Sequence, residues 1–231
     1  MRTIRLAVRA EGRAKRLAKT LAFAAVAGGV VLGLAGPAGA TSGTMYGDPA
    51  AAAKFWRYQQ YWDDCVLMSS ADVVGEMTGA EPAEEDIIEM AQSTPSSQGP
   101  GPIYTRPANP QDPNSGEGTW FRDIPTLLAR YNVAAVIVNS DMAGLEQALG
   151  AGHKVVASVN GELIWNRPVT DWDNSGNPRH NHTVVVTGVD TGAEIVHLND
   201  SGTRHGADEQ IPLALFIQAW ATSGDLMAVT T

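Results

Sequence analysis

Cys65, His182 and Asp200 are the residues of this chain whose types and order could carry nucleophilic chemistry. Cys65 is the single cysteine among 231 residues, so no internal disulfide can use it. A thiol becomes a strong nucleophile once ionised. The apolar spacing after Asp64 predicts a helix that begins at Cys65, where unpaired backbone N–H groups and the helix dipole favour a thiolate. Asp63 and Asp64 push the other way, because neighbouring carboxylates disfavour an ionised sulfur. A cationic partner is therefore required, unless Asp64 is turned towards the backbone as the helix cap.

His182 opens the apolar stretch "HTVVVTGVD", which is followed by Asp190-Thr191-Gly192 and then "AEIVHLND". The pattern predicts a hairpin with a three-residue loop, Gly192 taking the left-handed position. In that register Val189 faces Ala193, and His182 faces Asp200. Directly opposed side chains have Cβ atoms roughly 4.5–5.5 Å apart, close enough for a carboxylate to orient an imidazole and stabilise its cation. A loop of two or four residues would spoil this pairing. Taken singly, a free cysteine is an ordinary small hydrophobe and an aspartate after a strand an ordinary turn former. It is their combination, in the order nucleophile, base, orienting acid, that points to covalent catalysis.

Two metal readings compete for the same region. His180 and His182 form an H-x-H pair near Asp171 and Asp173, but no third ligand stands at recognisable spacing. "DWDNSG" echoes the start of a calcium loop, yet His182 stands where the closing glutamate belongs. No metal and no cofactor is expected.

These side chains need a helix and a sheet to meet. Val66, Leu67, Ser70, Val73, Val74 and Met77 repeat at helical spacing between Asp64 and the stop at Gly79. Pro82 with Glu84, Glu85 and Asp86 starts a second helix, whose buried side is Ile87, Ile88 and Ala91. Residues 93–118 are crowded with Pro, Gly, Ser and Asn and predict no regular element. Beyond them the pattern predicts helices at 120–130, 141–149 (capped by Ser140) and 212–220. Strands are expected at 133–139, 154–159, 182–189 and 194–199, with a final edge strand at 225–229. Helices first and sheet afterwards make an α+β domain.

Residues 1–40 read as a secretory signal, with a basic stretch from Arg2 to Lys19, an apolar run, and small residues that favour cleavage after Ala40. Residues 41–53 are expected as a leader whose alanine run enters a helix through Phe55, Trp56 and Tyr58, and 54–231 as the domain. The segment 1–40 carries seven of the 16 Lys and Arg and one of the 25 Asp and Glu, so the remainder has a net charge of −15. Such a field repels phosphate backbones and anionic lipid, so neither nucleic acid nor a membrane is expected as partner of the cleaved chain. A secreted or cell-envelope location and a peptide or protein substrate are expected.

The segments "QQYWDDCVLMSSADVV", "NHTVVVTGVD" and "IVHLNDSG" resemble the motif blocks of the bacteriocin-processing, double-glycine cysteine peptidases and their free-standing secreted relatives. "DIPTLLARYNV" and "LEQALGAGHKVVASVN" resemble the middle of that family, and the likeness spans about Gln59 to Val229. It implies a papain-like fold, with an N-terminal nucleophile helix packed on a C-terminal antiparallel sheet. It implies Cys65 as nucleophile, His182 as base and Asp200 as orienting acid. The glutamine six positions before the nucleophile, which helps form the oxyanion hole, falls on Gln59, with Gln60 as its competitor. Val66 replaces the glycine that often follows the nucleophile. The activity implied is hydrolysis of peptide bonds; alternatives are a non-catalytic binding module on the same fold and a cell-wall peptide hydrolase.

Overall fold

In the computed structural model, which describes residues 43–109, 112 and 116–231, the first elements are β1 (Met45–Gly47), α1 (Pro49–Ala52), α2 (Cys65–Thr78), α3 (Glu84–Ser93) and α4 (Ile124–Ala129). Then come β2 (Ala135–Asn139), α5 (Met142–Gly150), β3 (Val155–Val159), α6 (Gly161–Ile164), β4 (His182–Asp190) and β5 (Ile195–Asn199). The chain closes with β6 (Glu209–Pro212), α7 (Leu213–Ala221) and β7 (Leu226–Thr230). The expected signal segment lies outside the described residues.

The strands form one antiparallel sheet in the order β2-β7-β3-β4-β5-β6, with β1 pairing the far end of β4. Alternate residues feed two cores, as a pleated strand covered on both faces requires. Val184 and Val186 of β4 join α5 and α7 in one cluster through Leu145, Phe216 and Trp220. Val185 joins α2 and α4 in the other through Val66, Val73, Ile124 and Leu128. Helix α2 is thereby pressed against β4. Its second face, Leu67 and Ala71, packs on Ile87, Ile88 and Ala91 of α3. Gly79 ends α2 at φ 79°, the left-handed cap that glycine adopts without strain.

Four expectations change. Residues 41–53, expected as a leader, supply β1 and α1, so the packed domain reaches back to Met45. The helix expected through Tyr58 ends earlier, in a 3-10 turn at Ala53–Phe55. Asp141, not Ser140, caps α5, its Oδ1 accepting from the Gly144 N–H at 2.9 Å. The last strand is no edge, since β7 lies between β2 and β3.

The β4–β5 register also differs. Asp190 pairs with Ile195 and Val189 with Val196, so the loop has four residues. Asp190 Oδ1 accepts from the N–H groups of both Gly192 and Ala193, a side-chain turn that takes up an extra residue, and Glu194 rather than Gly192 holds the left-handed position at φ 56°. A bulge between Val186 and Gly188 then shifts the register, so that Val186 pairs with Leu198 and Val185 with Asn199. Continued by one residue, this sets Asp200 opposite Val184. That is two positions from His182 and on the same face, so the bulge restores the parity that the longer loop removes.

Among the described residues, no helix is long and apolar enough to cross a membrane.

Candidate active site

Cys65 is the first residue of α2 and is half-buried. The first helical hydrogen bond runs from Met68 N–H to the Asp64 carbonyl, which leaves the N–H groups of Cys65, Val66 and Leu67 without an intrahelical acceptor. Because α2 lies on β4, with the Ser69 hydroxyl donating to the Thr183 carbonyl at 3.2 Å, the thiol faces the start of that strand. Burial pushes the Cys65 thiol up, but hydrogen bonding and charge attraction from His182, with hydrogen bonds from Thr183, outweigh it and hold the thiol below its usual range.

His182 Nε2 donates to Asp200 Oδ1 at 2.6 Å, and both side chains are almost completely buried. The expected pair is therefore formed, although diagonally across the hairpin rather than face to face. With Nε2 engaged, Nδ1 is the ring nitrogen left for Cys65. Burial disfavours the imidazolium, yet the Asp200 carboxylate and the thiolate beside it push His182 up to about 10. Burial likewise acts to raise Asp200, but the charge of His182, with hydrogen bonds from the Trp165 indole and the Gly202 N–H, holds it below the usual carboxylate range. The arrangement favours ionisation of the thiol beside a cationic imidazole.

The two carboxylates before Cys65 are dealt with separately. Asp63 accepts from the Tyr104 hydroxyl at 2.9 Å and from the Gly118 N–H at 3.4 Å. Asp64 occupies the cap position, but its side chain makes no cap bond and is fully buried. Burial first, then Glu84 and the charges of Cys65 and Asp63, push it up to about 9, so it stands neutral beside the thiol at pH 7. It is not the backbone cap that the sequence left open.

Gln59 is buried. Its Oε1 accepts from the Ser201 hydroxyl and its Nε2 donates one hydrogen to the Tyr61 carbonyl, both at 2.8 Å. Among the described residues, the second Nε2 hydrogen has no acceptor. Gln60 is exposed, and its amide bonds the Tyr58 carbonyl at 3.1 Å. Of the two, Gln59 is the residue held rigidly. Gln59 and His182 line a cleft of about 940 Å³, with Trp62 and Trp165 among its walls. Residues 93–118 do not line it in their described part. They are fastened instead by Tyr104 to Asp63 and by Ser96 and Ser97 to the Asp123 carboxylate at 2.6 and 2.7 Å.

His180 turns away from His182. Its Nδ1 lies 3.0 Å from the Ser158 hydroxyl, while Asp173 holds its own turn by accepting from the Ser175 and Asn177 N–H groups. Among the described residues, no cluster of three or more His, Cys, Asp or Glu could hold a metal.

Sequence reasoning missed Trp165, Ser201 and Gly202. The Trp165 ring lies 4.9 Å from the His182 ring, centroid to centroid. A Cβ on Gly202 would come within 2.8 Å of Trp165 and 2.9 Å of His182, so only glycine fits without displacement. Ser201 and Gly202 stand in the quoted motif "IVHLNDSG", and that adjacency to Asp200 was the available signal. Trp165 had none, because the site position of one tryptophan among six depends on tertiary packing.

The model of the Peptidase_C39 like family matches residues 48–227. Two curated relatives, the uncharacterized proteins Rv1268c of Mycobacterium tuberculosis and Mb1299c of Mycobacterium bovis, are each 62% identical over 223 residues, covering 92% of this chain and 96% of theirs. Among solved structures, a C39-like peptidase from Bacillus anthracis aligns with a TM-score of 0.57 at 21% identity, over 81% of this chain and 98% of that one. At that identity the likeness concerns the fold.

Proposed function

The chain belongs to the Peptidase_C39-like family, and from that premise we propose that it is an exported cysteine peptidase acting through Cys65, His182 and Asp200. The fold is α+β and papain-like, and family and fold together support a peptidase-type function. One observation carries the finer reading: the thiol at the start of α2 is hydrogen-bonded to an imidazole that is itself held at 2.6 Å by a buried carboxylate. A histidine paired to a carboxylate is not enough by itself, since His197 and Asp208 also pair at 2.6 Å; it is the nearness of the thiol that sets His182 apart.

In the proposed reaction, Cys65 transfers its proton to His182 Nδ1 and the thiolate sulfur attacks the carbonyl carbon of a peptide bond. Asp200 keeps the imidazolium oriented. The free hydrogen of Gln59 Nε2 and the N–H of Cys65 stabilise the oxyanion, whose loss of one donor typically costs about 10²–10³ in rate. His182 returns the proton to the departing amine. Water, deprotonated by the same ring, then hydrolyses the thioester and regenerates the thiol.

The test is alkylation of the purified protein by iodoacetamide across pH, comparing wild type with His182→Ala and Asp200→Asn. Reaction of Cys65 well below the ordinary thiol pKa of about 8.5, abolished without His182, is the expected result. Ordinary thiol behaviour in all three proteins would sink the catalytic reading and leave a binding module. Export rests on the grammar of residues 1–40. N-terminal sequencing of the exported protein should begin at Thr41.

A further inference from the structure

Two guanidinium groups stand over aromatic rings in the cleft that contains His182. Arg167 Cζ lies 5.3 Å from the centroid of Trp165, and Arg204 Cζ lies 4.7 Å from that of Tyr58. All four side chains line the same cleft. The setting makes them conspicuous, because the chain after residue 40 carries a net charge of −15. Among the described residues, Arg57, Arg106, Lys154 and Arg179 are each bridged to a carboxylate, whereas Arg167 and Arg204 are not, and neither are Lys54, Arg122 and Arg130, which lie outside this cleft. The carboxylates of the cleft are engaged elsewhere: Glu162 accepts from the N–H and hydroxyl of Thr170, and Asp171 pairs with Arg179. Asp200 is occupied by His182, Trp165 and Gly202.

The two cations thus have no ion-pair partner among the described residues, and together they outweigh the one unbridged carboxylate of the cleft lining, Glu162. Stacking on an aromatic face steadies a guanidinium while its edge keeps the N–H fork that fits a carboxylate. Arg167 is one ring removed from His182, since Trp165 touches both.

We propose that Arg167 and Arg204 form a carboxylate-binding subsite that directs acidic peptides into the cleft. This rests on reading the cleft as a peptidase cleft, and it names the substrate class. The carboxylate is either a Glu or Asp side chain or the end of the peptide chain. Without such a pair, the net charge of the protein would repel these peptides.

Full-length Cys65→Ala protein is titrated calorimetrically with three hexapeptides. The first, blocked at both ends, carries two glutamates; the second is its glutamine counterpart; the third is the glutamine peptide with a free C-terminal carboxylate. At least one carboxylate peptide is expected to bind about tenfold more tightly than the blocked glutamine peptide, an advantage that shrinks with added salt. The Arg167→Gln/Arg204→Gln variant in the same background loses the advantage, and Arg167→Lys/Arg204→Lys retains part of it. Gain by the glutamate peptide alone assigns the side-chain source; gain by the third peptide alone assigns the chain end. Equal affinity for all three, no binding by any, or an advantage that survives the glutamine variant overturns the proposal. Iodoacetamide labelling of the wild type keeps the two readings apart, because an ordinary thiol would remove the catalytic reading while leaving a carboxylate preference standing.

Discussion

The indole of Trp165 lies 4.9 Å from the imidazole of His182, centroid to centroid and tilted by 53°. The same indole donates its Nε1–H to Asp200 Oδ2 at 2.8 Å, while His182 donates to Oδ1 at 2.6 Å. One side chain therefore packs on the proposed base and satisfies the carboxylate that orients it. A buried carboxylate with both oxygens bonded keeps its charge, and that charge is what holds His182 protonated.

Trp165→Phe separates these two roles, because it keeps an aromatic surface and removes the donor. Leaving a buried charged group short of a hydrogen bond costs about 1.5–3 kcal/mol. Urea unfolding should report that loss, and iodoacetamide labelling of Cys65 at pH 7 should slow. Unchanged stability would mean that Oδ2 finds another donor.

Gly202 is the floor beneath the His182 ring. A methyl group there meets His182 Cε1 at 2.9 Å, Trp165 at 2.8 Å and Asp200 Oδ1 at 3.1 Å, and all three neighbours are locked by one another. Overpacking of this kind costs about 1–3 kcal/mol. Gly202→Ala is therefore expected to remain folded by circular dichroism, yet lose most of its thiol reactivity as the ring is displaced. Reactivity equal to wild type would show that the loop after Asp200 moves aside freely.

The extent to which these relationships could be read from sequence follows their range along the chain. Helix α2 and strands β4 and β5 were legible because their apolar residues repeat locally, and the Cys65, His182 and Asp200 trio lies at their ends. The contact between His182 and Asp200 was anticipated for an incomplete reason. The turn residue Asp190 and the bulge after Val186 each change the register, and their combined effect preserves the face. Strand β1, three residues long, exists only through its pairing with β4, and the place of β7 between β2 and β3 depends on contacts 70 to 95 residues apart. Nothing local in either segment announces its partner. Trp165 and Arg167 reach the site for the same reason, at and just beyond the end of the one-turn helix α6, whose own sequence does not announce what it packs against.

Ser201 offers a test of the oxyanion assignment that leaves Gln59 itself intact. Its hydroxyl donates to Gln59 Oε1 at 2.8 Å and so decides which end of the amide faces the cleft. Ser201→Ala removes this preference while Gln59 Nε2 can still reach the Tyr61 carbonyl. Once a cleaved peptide is in hand, kcat should fall about tenfold, with KM little changed, since the donor acts on charge that develops in the transition state. Ser201→Thr keeps the hydroxyl and should recover most of the rate. A rise in KM at constant kcat would instead make Gln59 a ground-state contact.

Asp64 sets how stability depends on pH. Its carboxyl is fully buried, and burial first, then the hydrogen bond and charge of Glu84 and the charges of Cys65 and Asp63, push it up to about 9. A raised folded value means that the folded state keeps a proton the unfolded chain gives up. The associated stability is complete below the ordinary value of 3.8 and is lost as pH rises towards 9. Glu81 and Glu209, each pushed up to about 7, chiefly by burial, add losses of the same sign that finish near neutrality. Asp64→Asn, neutral at every pH, removes the Asp64 contribution alone. The variant should unfold at higher urea concentration than wild type at pH 9, with the gap closing towards pH 5. Because Asp64 is already neutral at pH 7, iodoacetamide labelling there should hardly change. Parallel stability curves with faster labelling at pH 7 would mean that Asp64 is ionised beside Cys65, and that His182 has a second negative charge to offset.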